Sequence, residues 1–133
     1  LVTARDFSTA HLPRPDQLVA VTPAPQEQCH AVYGTGQEAA VIAIQYGPPF
    51  QGMPFKQNLQ MCRRVKPPCE LVQGVGEQAY YQRSGRPIGY GSIQEVLASL
   101  HRRVLSVKAV GMTVPVAKRD LLTLAREAAL RAR

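Results

Sequence analysis

Residues 92–111 read SIQEVLASLHRRVLSVKAVG, and the fold turns on whether this stretch is a helix leading into a strand or two strands joined in a hairpin. Ser92 and Glu95 have the spacing of a capping box, and Ile93, Val96, Leu97 and Leu100 recur at helical intervals. VLSVKAV, residues 104–110, alternates β-branched or aliphatic residues with small and polar ones, as a strand does. A strand over VLASL, joined to it through His101-Arg102-Arg103, would make the whole stretch a hairpin. The local rules favour a helix for the first half, while the second half is β-like.

Downstream the pattern is simpler. Pro115 occupies the position expected of a first helical residue, and Ala117, Leu121, Leu124, Ala125 and Ala128 form an apolar stripe, predicting a C-terminal helix. Upstream, SGRPIGYG is a turn-rich connection, and residues 79–83 and 69–72 are extended with glycines between them. FKQNLQMCRRV places Phe55, Leu59, Cys62 and Val65 at helical spacing after the loop GPPFQGMP. Before that loop, LVAVTP, QCHAVYG and AAVIAIQYG read as strands, the last two separated by Gly34 and Gly36 as in a hairpin. Thr3 caps a short first helix over ARDFSTAHL, with Phe7, Ala10 and Leu12 apolar, and Pro13 and Pro15 end it. The order is helix, two or three strands, helix, three strands, helix. Hairpin-linked strands run antiparallel, so the expectation is one α+β domain over residues 1–133, a curved antiparallel sheet of about five to six strands with three helices over one face.

VQGVGEQAYY, residues 72–81, contains Gly74, Gly76 and Ala79 in the spacing of a dinucleotide-binding loop. Such a loop needs a helix to begin near the third small residue, so that its N-terminus faces the pyrophosphate. Here AYYQRSG follows, which is a strand and a turn. The glycines are read as a bend or bulge entering the strand that holds Tyr80 and Tyr81, and no cofactor is expected.

The 133 residues suffice for one hydrophobic core. The longest apolar run, AAVIAI, is far shorter than the ~20 residues that cross a bilayer as a helix. The formal charge of +7 can attract nucleic acid or an anionic surface, but the basic residues are scattered, as on an ordinary solvated face. The chain opens with Leu1 rather than a methionine, as a mature or trimmed form would after a leader is removed. Cys62 and Cys69 bracket RRVKPP. A bridge between them closes a short loop, stabilises by about 2.5 kcal/mol in the chain-entropy model, and implies an oxidising compartment. Cys29 then stays single, as a small buried strand residue.

Chemistry is hard to find. His11, His30 and His101 fall in three different elements, and none has a partner at i+3 to i+5 as a zinc helix would provide, so no metal site is expected. Ser84 and Ser92 lie outside any nucleophile elbow, and no carboxylate pair stands out for acid/base work. Cys62 beside Arg63 and Arg64 has the setting of an activated thiol, but the nearby Cys69 makes a structural bridge the simpler account. Tyr80 and Tyr81 followed by Arg83 form the best candidate binding group. Neighbours on a strand face opposite sides, so one of the two tyrosines is expected at the surface, where a ligand would be sought first.

The segments LVTARDF, QCHAVYG, AAVIAI, GVGEQAYY, LASLHRRVLSVKAV and LLTLAREAALRAR together resemble the small exported domains of bacterial envelope proteins and lipoproteins of unknown function. In those domains an acidic residue after the second glycine and an aromatic pair after the alanine are usual, as Glu77, Ala79, Tyr80 and Tyr81 are here. The resemblance implies export and an α+β fold, and it decides residues 92–110 in favour of two strands. It supplies no catalytic site. Such domains often carry a glycine at the tip of that last hairpin, where this chain has His101-Arg102-Arg103. The expectation is a non-enzymatic secreted or periplasmic accessory or binding domain, with an envelope protein or small ligand as partner and room for a lipid anchor upstream of Leu1. The alternatives are a basic module for nucleic acid or another polyanion, which the few aromatics disfavour, and a small hydrolase whose site the sequence does not display.

Overall fold

A computed structural model of the chain describes residues 2–21, 27–36, 39–49, 55–64 and 69–132. The elements are α1 (Ala4–Thr9), β1 (Gln17–Val21), β2 (Glu27–Tyr33), β3 (Ala40–Gly47), α2 (Phe55–Cys62), β4 (Glu70–Val72), β5 (Gln78–Gly85), β6 (Ser92–Leu100), β7 (Arg103–Val110) and α3 (Lys118–Arg131). Residues 92–110 are therefore two strands, and the capping-box reading of Ser92 and Glu95 gives way to sheet pairing from the first residue of β6. The hairpin turns on His101 and Arg102, both in the left-handed region at φ 53° and 63°. A two-residue turn with positive φ at both positions matches the strand twist and usually demands Asn-Gly. Here the His101 amide donates to the Glu77 carboxylate at 3.0 Å, which holds the strained turn in place.

Among the described residues seven strands form one antiparallel sheet in the order β1-β2-β3-β7-β6-β5-β4. The expected five to six strands and their order need correction: three strands precede α2 and four follow it. The short β4, read only as extended chain, pairs with β5 and supplies the extra strand.

The helices do not share one face, which corrects the one-sided arrangement. α1 and α3 cover the first face, where Phe7, Ile42, Ile44, Tyr46, Val96, Leu105, Val107, Leu121 and Leu124 are buried in one continuous cluster. Burying each of these aliphatic or aromatic side chains contributes ~1.5–3 kcal/mol. α2 lies on the opposite face, where Phe55, Leu59 and Cys62 pack against Tyr80 and Leu97 in a separate small cluster. The reason is the strand period: Tyr80 and Leu97 point away from Ala79, Tyr81, Val96 and Ala98, so a sequence with apolar residues on both sides of β5 and β6 needs a cover on each.

Two local expectations also shift. Pro115 is not the first helical residue and Ala117 is not in the buried stripe, because α3 begins at Lys118 with Ala117 as its exposed N-cap. The Gln94 side chain holds the segment before it extended, donating to the Val116 carbonyl at 2.7 Å and accepting from the Val116 amide at 3.3 Å. At the other terminus Asp6 closes α1 onto α3: it accepts from the Thr3 amide at 2.6 Å and pairs with Arg131. The loop read into residues 50–54, the RRVKPP turn at 65–68, the end of the LVAVTP strand at 22–23 and the helical place of Val65 lie outside the described residues.

Candidate functional site

Strand register builds a polar row across the face that α2 only half covers. Gln82 on β5, Glu95 on β6 and Lys108 on β7 are direct cross-strand partners, and the row continues through Ala43 and His30 to Val19. Glu95 lies at the centre. Gln82 Nε2 donates to its Oε1 at 2.8 Å, Ser106 Oγ donates to Oε2 at 2.9 Å, and Lys108 Nζ stands 3.6 Å from Oε2. The Glu95 side chain is only 12% exposed, against 43% for Lys108. A carboxylate so nearly buried is tolerable because both oxygens are satisfied and a cation faces it.

These groups line a cleft of about 360 Å3, with Gln45 and Gly47 on the β3 side and Asn58 of α2 at the rim. Its size is that of a small ligand site, and its polar groups are mostly amides and a hydroxyl around one ion pair. Such a lining suits a neutral polar ligand or a peptide segment better than a polyanion. Among the described residues lining it there is no histidine to act as a base for Ser106, whose proton is directed at Glu95.

α2 is fixed over the cleft at both ends. Phe55 packs on Tyr80 with ring centroids 5.6 Å apart, and Cys62 is bridged to Cys69 just before β4, with Cα atoms 5.6 Å apart. The expected bridge is therefore present, and it fits an oxidising compartment. Cys62 Sγ lies 3.1 Å from Gln82 Oε1. A disulfide sulfur carries no proton to donate, so this is a packing contact that seats the Gln82 amide with its nitrogen toward Glu95. Cys29, on the other face of the sheet, is buried and unbridged, and burial pushes its thiol above the ordinary value.

Tyr80, Tyr81 and Arg83 are not brought onto one surface. The two rings do face opposite sides, but neither is exposed: Tyr80 is buried under α2 and Tyr81 under the start of α3, because both faces of β5 have a helix over them. Tyr80 lines the cleft, and burial, followed by the charge of Glu95, pushes its phenol well above the ordinary value. Tyr81 belongs to the main core, where its hydroxyl accepts from Gln94 Nε2 at 2.9 Å and Lys118 Nζ sits 5.6 Å from its ring centroid. Arg83 is exposed.

The glycine stretch is a backbone bend, with Gly74 and Gly76 at φ 82° and 58° and strand β5 following. Glu77, the acidic residue of the resemblance, braces the β6–β7 turn, and its own amide donates to the Ser99 carbonyl at 2.8 Å. Sequence reading missed Gln82, Glu95, Ser106 and Lys108 as a group. The signal was present in VLSVKAV, where Ser106 and Lys108 alternate with apolar residues and must share a face. Their convergence with Glu95 and Gln82 depends on register, which no local pattern gives.

Among the described residues no group of His, Cys, Asp and Glu could hold a metal ion, and no helix is long and apolar enough to cross a membrane. No protein-family model, curated protein or solved structure matches the chain.

Proposed function

We propose that the protein is a non-enzymatic accessory or binding module of the bacterial cell envelope, exported to the periplasm or secreted, and that it binds through the half-covered face of its sheet. The observation that carries this reading is the asymmetry of the two faces. One face is closed by α1 and α3 over a continuous core, while the other has α2 over β5 and β6 and leaves Val19, His30, Val32, Ala43 and the Glu95 cleft accessible or partly accessible. The disulfide at α2 supports an oxidising setting. A mixed apolar and polar sheet surface of this kind suits a protein segment, which would meet the aliphatic rows and reach the amides of the cleft.

The polyanion alternative draws on the net charge of +7. Among the described strand residues on the open face, however, Lys108 and His30 are the basic ones, and Lys108 is already paired with Glu95. The experiment is site-specific photo-crosslinking in cells that make the protein. A photoreactive residue at Ala43 is expected to capture an envelope component, and the same residue at Glu127 on α3 is not. Equal capture from both positions, or none from Ala43, would discard this face. Loss of Ala43 capture on adding moderate salt would favour the polyanion reading.

A further inference from the structure

We propose that one end of the sheet, formed by the turn at residues 85–91 and the segment at 111–117, docks on the surface of an anionic lipid bilayer. This builds on the envelope compartment proposed above but not on the partner-binding face.

The first observation is where apolar side chains are left in water. Ile88, Tyr90 and Val114, exposed by 47%, 88% and 67%, all lie on these two segments. The segments are joined: the Gly89 amide donates to the Met112 carbonyl at 2.8 Å, and the Gly111 amide to the Ser92 carbonyl at 2.9 Å. The three side chains are therefore presented by one tied unit. Its shape is fixed by close backbone packing, since a Cβ on Gly85 would fall 1.8 Å from the Gly91 carbonyl oxygen. Behind Tyr90 lies a hollow of about 700 Å3 lined by Val41, Ile93 and Val110 at this end of the open face, so the exposed Tyr90 ring borders an apolar surface.

The second observation is charge. Arg83 beside the turn and Arg86 within it are exposed, and the sequence has no Asp or Glu between Arg83 and Gln94 or between Gly111 and Lys118. Asp16, at the β1 side of the sheet, is three strands away from β7 and accepts the Gly34 amide. A tyrosine with aliphatic neighbours, flanked by guanidinium groups, is the chemistry of an interfacial contact. The ring sits among headgroups, the aliphatic tips enter just below them, and the cations meet lipid phosphates. A soluble amphiphile would occupy the hollow without needing exposed tips, and a nucleic acid would want several stacking rings where, among the described residues, this end offers Tyr90 as its one fully exposed ring.

The test uses the whole chain carrying Tyr90→Trp, which reports from this site alone because the sequence has no tryptophan. Vesicles of phosphatidylglycerol mixed with phosphatidylcholine are expected to shift its emission to the blue, and brominated acyl chains to quench it. Phosphatidylcholine alone should give a weak response. Replacing Ile88 and Val114 together by Ser, or Arg83 and Arg86 together by Gln, should each weaken binding about tenfold. All four positions are exposed, and an unchanged circular dichroism spectrum confirms the fold of each variant. No spectral shift overturns the proposal, as does co-sedimentation without one, which would place the contact elsewhere on the basic surface. Equal shifts with monomeric anionic detergent or with duplex DNA also contradict it. Failure here leaves Ala43 crosslinking untouched, so the two readings fall separately.

Discussion

Gly76 and Gly74 show how one local motif divides into two structural roles. A Cβ at Gly76 would lie 2.6 Å from the Ser99 carbonyl oxygen, a backbone atom already bonded to the Glu77 amide. A Cβ at Gly74 would meet only the Arg126 side chain, at 3.2 Å, and that guanidinium can move. Both residues are at positive φ, which costs an L side chain ~1–2 kcal/mol. Gly76→Ala is therefore expected to destabilise by more than ~2 kcal/mol and Gly74→Ala by about 1 kcal/mol in chemical denaturation. Equal effects would show that the Ser99 contact is not limiting. The positive φ values were within reach of the sequence, because clustered glycines near a strand start imply a bend. The contact with Ser99 was not, since it joins residues 23 apart in the chain through the β5–β6 pairing.

Asp6 provides the pH dependence at this same scale. Burial raises its carboxyl, but the Arg131 hydrogen bond, the Thr3 amide and the Arg131 charge outweigh that and hold its pKa below the ordinary 3.8. A depressed folded-state value means that the contribution to stability is present above the unfolded value and lost as pH falls through the folded one. Asp6→Asn should thus cost about 1.5–3 kcal/mol near neutrality, and the difference from the parent chain should shrink steadily once the pH drops below about 4. A difference that stayed constant to pH 2 would mean that the Asp6 charge contributes nothing.

At the scale of elements, the two helical covers differ in what holds them. α3 buries Leu121, Leu124, Ala125 and Ala128 in the main core, whereas α2 rests on Phe55, Leu59 and Cys62 over Tyr80 and Leu97, with the bridge to Cys69 as its tether. Leu121→Ala should lower stability by ~2–5 kcal/mol, shifting the denaturation midpoint of the whole chain. Leu59→Ala should instead loosen hydrogen exchange in α2 before it affects the strands. A midpoint unmoved by Leu121→Ala would show that α3 is not part of the core. The helices were legible because apolar residues at i, i+3, i+4 and i+7 form a stripe whatever they pack against. Which face each helix would cover was not legible, because that depends on the sheet. Likewise Ser92 and Glu95 satisfy a helix rule locally, yet Glu95 is taken up by Gln82 from β5 and by Ser106 and Lys108 from β7. Tertiary pairing overrides the cap there.

For the whole molecule, the sequence carried the antiparallel α+β class through its hairpins and its three amphipathic stripes. The cleft was invisible because Gln82, Glu95, Ser106 and Lys108 at its centre are spread over β5, β6 and β7 and meet only through register. The two tyrosines of β5 do alternate, Tyr80 to the cleft and Tyr81 to the core, but the surface tyrosine expected beside Arg83 is buried because a helix covers each face of β5. The result is a sheet with one closed face and one half-open face, and the reading of this protein as an envelope binding module stands on that difference. Single-cysteine footprinting measures it most directly. Val19→Cys places a thiol on the open face, where Val19 is 44% exposed, and Leu130→Cys places one on α3, where Leu130 is 80% exposed. Cys29 is buried and the other two native cysteines are bridged, so each variant offers one accessible thiol. Labelled with a reagent that does not cross the inner membrane, Leu130→Cys should react equally fast in intact cells and as purified protein, while Val19→Cys should react several-fold more slowly in cells, where its partner covers it. Equal rates at Val19→Cys in both settings, or no labelling of either variant in intact cells, would contradict the account.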